Sequence, residues 1–271
     1  MADVYCSIAD ADHEVQERLA SVLERRAADS QQSEMLCTYL TDIDFSKVAA
    51  VLDVGCGTGP VSRKLAALLP AGSVTGLDPS PVFLAEARKL AAGFINLSFI
   101  EGDCRKLPCG AESFDVVVFH TTLSHVPSPE AALEEAFRVL RPGGILAVFD
   151  GNYTTTTLAN GDFDPLQACA DAAMAALVHD RWLIHRLSEM VRGAGFSLVR
   201  QRSLGIIETH EPDYMLTIAD RGADVLASEG RIGAELAEAL KLEARRRVTA
   251  GCFFGSIAYG SLVACKQSVN N

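Results

Sequence analysis

The stretch V-L-D-V-G-C-G-T-G-P-V-S-R-K-L, Val51 to Leu65, decides the fold. Val51 to Val54 is a short apolar run with β-branched residues. Gly55, Gly57 and Gly59 follow at alternate positions, and Val61, Leu65, Leu68 and Leu69 begin a helical spacing at once. That order predicts a strand, a tight turn and a helix. Glycines suit the turn because backbone N–H groups must approach a ligand closely, and a β-carbon would block the approach or forbid the dihedrals. A nucleotide-like ligand is the first expectation. The spacing is G-x-G-x-G with Asp53 two residues ahead, whereas a dinucleotide fingerprint reads G-x-G-x-x-G, so the turn points away from nicotinamide.

Working outward, an acidic residue followed by G-x-G-x-G resembles the first motif of the class I S-adenosylmethionine-dependent methyltransferases. Four further stretches match that family in order: V-T-G-L-D (Val74 to Asp78), E-G-D-C-R-K-L-P (Glu101 to Pro108), F-D-V-V-V-F-H (Phe114 to His120) and V-L-R-P-G-G-I-L-A-V-F-D (Val139 to Asp150). Together they cover residues 48–150. The resemblance implies an α/β fold: a Rossmann-like, seven-stranded, mostly parallel sheet of order 3-2-1-4-5-7-6. Strand 7 is expected to run antiparallel, with helices on both faces and an added helical lid. It implies S-adenosyl-L-methionine as cofactor, S-adenosyl-L-homocysteine as product, and Asp53, Gly55, Gly57 and Gly59 as cofactor-binding. Asp78 with Pro79 would receive the ribose hydroxyls, Asp103 and Cys104 the adenine, and His120 would lie beside the methionine part. The likeness is closest to the ubiquinone/menaquinone-biosynthesis branch, which includes many tailoring enzymes of secondary metabolism.

Composition narrows the partners. A chain of 271 residues, 49% hydrophobic and 22% charged, can bury one large core. A formal charge of −11 opposes a polyanionic partner, because nucleic-acid binding rests on clustered Lys and Arg. The one basic run, Arg245 to Arg247, follows Glu235, Glu238 and Glu243 on a helical stretch and reads as a solvated face. Eight cysteines lack metal-ligand spacing, and the amino terminus lacks a basic-then-apolar leader, so reduced thiols in a cytoplasmic protein and no bound metal are expected. No apolar run approaches the ~20 residues needed to span a bilayer. A monomer or homodimer is expected.

The chain reads as a single domain, with N-terminal helices over residues 1–45 as a cap and a cofactor-binding half over 46–150. Substrate-lid insertions are expected at 151–180 and 208–250, and the final strand at 251–271. Val15, Leu19, Val22 and Leu23 stand at helical spacing, and Met35, Leu36, Tyr39 and Leu40 make a second apolar face. Tyr39 either reaches the site or packs that helix on the sheet. Ser80-Pro81 and Ser128-Pro129 each pair a cap with a proline at the first helical position. Pro108-Cys109 precedes the fourth strand, whereas the Pro-Cys nucleophile of cytosine-C5 methyltransferases follows it, so Cys109 reads as an ordinary buried thiol.

The fourth strand, Val116 to Phe119, delivers H-T-T-L-S-H to its carboxyl end, where chemistry collects in open α/β sheets. No N-P-P-Y or D-P-P-Y follows it, which argues against DNA-type amine methylation. His120 and His125 are the candidate bases, with His210 and Tyr214 weaker. Thr121, Tyr153 and Tyr214, with Tyr39, are the candidate acceptor contacts, and Thr154 to Thr157 is either part of that pocket or a plain polar loop. Expected chemistry is in-line methyl transfer to a small molecule. Two alternatives stay open: a cyclase that keeps the cofactor without spending its methyl, and a regulatory subunit.

Overall fold

The computed structural model describes residues 3–267; the last four positions expected with the final strand lie outside them. Seven strands form one sheet in the order β3-β2-β1-β4-β5-β7-β6. They are β1 (Ala50–Val54), β2 (Ser73–Asp78), β3 (Leu97–Glu101), β4 (Phe114–His120), β5 (Leu140–Thr157), β6 (Ser197–Glu208) and β7 (Gly255–Cys265). All neighbouring pairs run parallel except β5–β7 and β6–β7, so β7 is the reversed strand, as expected.

The central strands are apolar on both faces, and alternate residues separate two cores. Val51, Val116, Val118, Ala147 and Phe149 face one side. Leu52, Val54, Val117, Phe119, Leu146 and Val148 face the other. The first face is covered by α2 (Ser30–Leu40), α3 (Pro60–Leu68), α6 (Pro165–Leu177), α8 (Asp213–Ser228) and α9 (Ala234–Thr249). The second is covered by α5 (Pro129–Val139) and α7 (Leu183–Gly193). Leu52, Leu65, Leu77 and Leu133 are fully buried, each contributing about 2 kcal/mol of transfer free energy. Helix α1 (His13–Ala28) lays Leu19 and Ala20 on Phe83 of α4 (Pro81–Leu90), with Ile8 completing a third, smaller cluster.

Three features differ from the sequence expectation. A short 3-10 helix, Val4–Asp10, precedes α1. Strand β5 continues through the threonine run to Thr157, because β7 pairs with it as far as Ser256 and threonine suits a pleated strand. The Thr154–Thr157 run is therefore strand and bulge rather than loop. The regions 151–180 and 208–250 also pack chiefly on the sheet and on one another. Helices α6 and α8 approach so closely that a β-carbon on Gly222 would stand 1.9 Å from the Cys169 carbonyl oxygen. Arg247 of α9 donates to both oxygens of Asp164 at the start of α6, at 2.5 and 3.0 Å. Met215 and Phe253 are buried in this core.

Candidate functional site

The carboxyl ends of β1, β2 and β4 open onto one cavity of about 460 Å³. Its floor starts at the glycine turn. Gly55, Gly57 and Gly59 all have positive φ, at 71°, 55° and 80°. At Gly55 a β-carbon would meet Thr122 Cγ2 at 2.3 Å, so both the dihedral and the space demand glycine. The Gly55 and Cys56 amides donate to the Leu77 carbonyl at 2.7 and 2.9 Å, which ties the turn to the end of β2. Gly55, Cys56 and Gly57 line the cavity, whereas Gly59 caps α3 instead.

Two carboxylates stand beside this turn. Asp78 accepts from the Gly57 amide at 2.9 Å through one oxygen and from the Ser80 amide at 2.9 Å through the other. Each oxygen retains a second lone pair. Ser80 caps α4 by accepting from the Phe83 amide at 3.0 Å, and its hydroxyl donates to Gln16 of α1 at 2.6 Å, fastening the roof to the floor. Asp53 accepts from the Ser62 hydroxyl at 2.5 Å. Burial pushes Asp53 up to about 7, against the Ser62 donor and with help from the Asp78 charge. Burial likewise pushes Asp78 up to about 6, against the Ser80 and Gly57 amides. Such carboxylates favour a ligand that brings hydroxyl or cationic donors.

Those features test the implied cofactor against the residues present. S-adenosylmethionine offers two ribose hydroxyls, an ammonium and a sulfonium, and the cradle offers two desolvated carboxylates beside a turn that admits no side chain. The residues fit. Pro79 and Cys104 complete this end of the wall. Asp103 sits on the exposed rim, where Arg105 clasps both of its oxygens at 2.6 to 3.0 Å. That arginine holds the Asp103 carboxyl below the usual range, burial opposing it.

Past the tip of β4 lie the two histidines. The His120 ring stacks on Phe149 at 4.7 Å between centroids, and its Nδ1 is 3.1 Å from the Tyr39 hydroxyl. Burial, with the Arg26 charge, pushes His120 down to about 3, so it is neutral at physiological pH. Thr121 follows with φ of 51°, a left-handed conformation that is costly for a β-branched residue, and it lines the cavity.

His125 ends the 3-10 turn Leu123–His125, and its Nδ1 lies 2.6 Å from Asp3 Oδ2. The same oxygen accepts from the His179 amide at 2.9 Å, and the other accepts from the Tyr5 amide at 2.9 Å. Burial alone would raise Asp3, but the His125 ring and the two amides outweigh it and hold the carboxyl below its ordinary value. Beneath the turn, buried Asp150 accepts from the Ser124 amide at 3.1 Å and its hydroxyl at 2.8 Å, fixing the segment that carries His125. With Nδ1 on a carboxylate, Nε2 is the acceptor of the neutral ring, and His125 lines the cavity.

The roof comes from residues 5–10, α1 and α2; no residue of 151–180 or 208–250 lines this cavity. Tyr39, Tyr153 and Tyr214 do not line it either. Tyr39 is fully buried, and Tyr153 and Tyr214 stand behind the wall around Arg26. His210 and Cys109 lie outside it. Asp3, Tyr5, Arg26 and Gln32 were not legible as site residues. Their only sequence signal is membership of polar amino-terminal segments, which looks the same on any solvated helix.

Comparison with known proteins agrees with this geometry. Residues 51–144 match a family model described as a methyltransferase domain. Demethylmenaquinone methyltransferase of Staphylococcus aureus is 36% identical over 117 residues, covering 43% of this chain and 48% of that protein. The chain spans about half the length of the curated relatives it matches. Among solved structures, a Bacillus halodurans protein provisionally classed as a methyltransferase superposes with a TM-score of 0.62 at 21% identity, covering 86% of this chain and 99% of that one. The [4+2]-cyclase SpnF superposes with a TM-score of 0.56 at 23% identity, covering 89% and 85%. Among the described residues no helix is long and apolar enough to cross a membrane. Motif order, sheet topology and the family match together mark residues 51–144 as a methyltransferase domain, carried on a sheet of the class I methyltransferase topology.

Proposed function

We propose that the chain transfers a methyl group from S-adenosylmethionine to a small-molecule acceptor, in secondary metabolism or quinone-like biosynthesis. The observation that carries this reading is that one cavity runs from Asp53, Gly57 and Asp78 past His120 to His125. Residues suited to hold the cofactor and a candidate base thus share one cavity. Gly55, Cys56 and Gly57 would face the cofactor with backbone, Asp53 and Asp78 with carboxylates, and Pro79, Asp103, Cys104 and His120 along its length. When bound, the cofactor supplies an electrophilic methyl group on a sulfonium.

The chain's own residues do the rest. The floor and roof hold the acceptor in line with that methyl, and alignment of this kind supplies on the order of 7 to 11 kcal/mol at best. His125 Nε2 accepts the acceptor's proton, while Asp3 fixes the tautomer and stabilises the imidazolium that results. His120 is a poor base with its basicity lowered so far, and we assign it a neutral hydrogen-bonding role, backed by Tyr39. The roof excludes water from the reacting centre.

Calorimetric titration with S-adenosylmethionine, S-adenosylhomocysteine and NADH in parallel tests the cofactor. Micromolar binding of the first two and none of NADH is expected. Phenolic, quinol and polyketide-like acceptors are then screened for a mass gain of one methyl with matching S-adenosylhomocysteine release. The cyclase among the structural neighbours has this fold, so binding of cofactor and a transformed acceptor with no S-adenosylhomocysteine formed would favour the non-methylating alternative.

A further inference from the structure

Arg26 and Arg105 are the two arginines that line the cavity, and among the described residues only Arg105 has a carboxylate partner. Arg26 lies in the last turn of α1, part-buried, beside Leu23, Ala27, Gln32 and Leu36. The chain has 35 Asp and Glu against 24 Lys and Arg, so carboxylates are in excess. Eleven other arginines pair with one, including Arg63 with Glu24 of the same helix. Among the described residues the Arg26 side chain makes neither an ion pair nor a hydrogen bond. The side chains around it are phenols, with the Tyr214 ring 5.5 Å from the guanidinium carbon and Tyr259, Tyr153 and Tyr5 close by. With Tyr39, which bonds His120, all five tyrosines of the chain gather at this end of the site.

Two structural accounts of Arg26 fall short. The carbonyl end of α1 favours a cation, but exposed Arg25 already serves it from solvent. The Tyr214 ring lies 5.5 Å from the guanidinium carbon, yet a cation–π contact engages its face and leaves five N–H donors without an acceptor. A half-buried guanidinium on a cavity wall, with no carboxylate beside it, is free to pair with an anion that enters.

We propose that Arg26 binds a carboxylate on the methyl acceptor, which makes the acceptor class a small, largely apolar carboxylic acid. This deepens the methyltransferase reading and rests on it. A planar carboxylate matches the guanidinium fork. A monoanion rather than a phosphate is favoured because the other cavity cations, Lys64 and Arg105, stand on α3 and beyond β3, at the glycine-turn side. The acceptor rather than the cofactor is favoured because three of the surrounding phenols belong to β5, α8 and β7, away from the cofactor-binding strands β1 to β3.

The test is calorimetry on the full chain, with and without saturating S-adenosylhomocysteine. Three acid–amide pairs serve as probes: benzoate and benzamide, 4-hydroxybenzoate and 4-hydroxybenzamide, cinnamate and cinnamamide. In the wild type at least one acid should bind about tenfold tighter than its amide. Arg26→Gln should erase that preference and Arg26→Lys should keep part of it, both with unchanged thermal unfolding and S-adenosylhomocysteine affinity. Absence of any acid preference overturns the proposal. Preserved preference in Arg26→Gln with weakened S-adenosylhomocysteine binding also overturns it, reassigning Arg26 to the cofactor's own carboxylate. If the wild type binds no S-adenosylhomocysteine, the methyltransferase reading falls separately, and the acid preference measured without it still decides the role of Arg26.

Discussion

Cofactor binding should release protons near pH 6, because the cradle holds two carboxylates that are partly protonated when empty. Asp53 is raised to about 7 and Asp78 to about 6, in both cases mainly by burial. A ligand that donates to both would hold them ionised. At pH 6 Asp53 is about nine-tenths protonated and Asp78 about half, so binding expels about 1.4 protons; at pH 8 the release falls to about 0.1. The same linkage makes affinity about twentyfold higher at pH 8 than at pH 6, on the order of 2 kcal/mol. Titration with S-adenosylhomocysteine at pH 6, 7 and 8, in buffers of different ionisation enthalpy, reads both quantities. Asp53→Asn and Asp78→Asn should each remove their share. A flat affinity and no proton release at pH 6 would refute the reasoning, because the carboxylates would then be ionised before binding or unconnected with the ligand.

Other perturbations have equally definite outcomes. The free chain should lose thermal stability as pH rises from about 4 to about 7, because the two raised carboxyls together outweigh the opposing gain from His120, held at about 3 by burial. A carboxyl raised above its unfolded value stabilises fully below that value and loses this contribution through the folded pKa of about 6 for Asp78 and about 7 for Asp53; a melting temperature that rises across the window would contradict the burial argument. Asp78→Ala should weaken cofactor binding by about 2 to 4 kcal/mol through lost charge-assisted hydrogen bonds, and unchanged affinity would remove Asp78 from the ribose role. Asp3→Asn and His125→Ala should lower turnover about tenfold to a thousandfold while sparing cofactor affinity, and equal loss of both would make the pair structural. Gly55→Ala should cost at least about 1 kcal/mol of stability, since the new methyl meets Thr122 at a positive φ; an undiminished melting temperature would show that the turn yields.

The sequence by itself determined the sheet and the glycine turn with its neighbouring carboxylates. Those features are written in short-range chemistry: an apolar run that must be buried, glycines that alone accept the turn, and Asp78 and Pro79 where β2 stops. The strand order and the reversed β7 were implied by the family resemblance and were met by the register of β5 and β6 on β7. Tertiary structure alone decided what stands at the other end of the cavity. Whether Thr154 to Thr157 is loop or strand depends on a partner strand about a hundred residues away. Nothing within the insertions tells that α6, α8 and α9 pack on the sheet instead of roofing the cavity. The Asp3–His125 contact joins residues 122 positions apart, and the site of Arg26 depends on phenols from three distant elements. Local propensity carries no information about such pairs, because their energy arises only when the chain has closed and water has left.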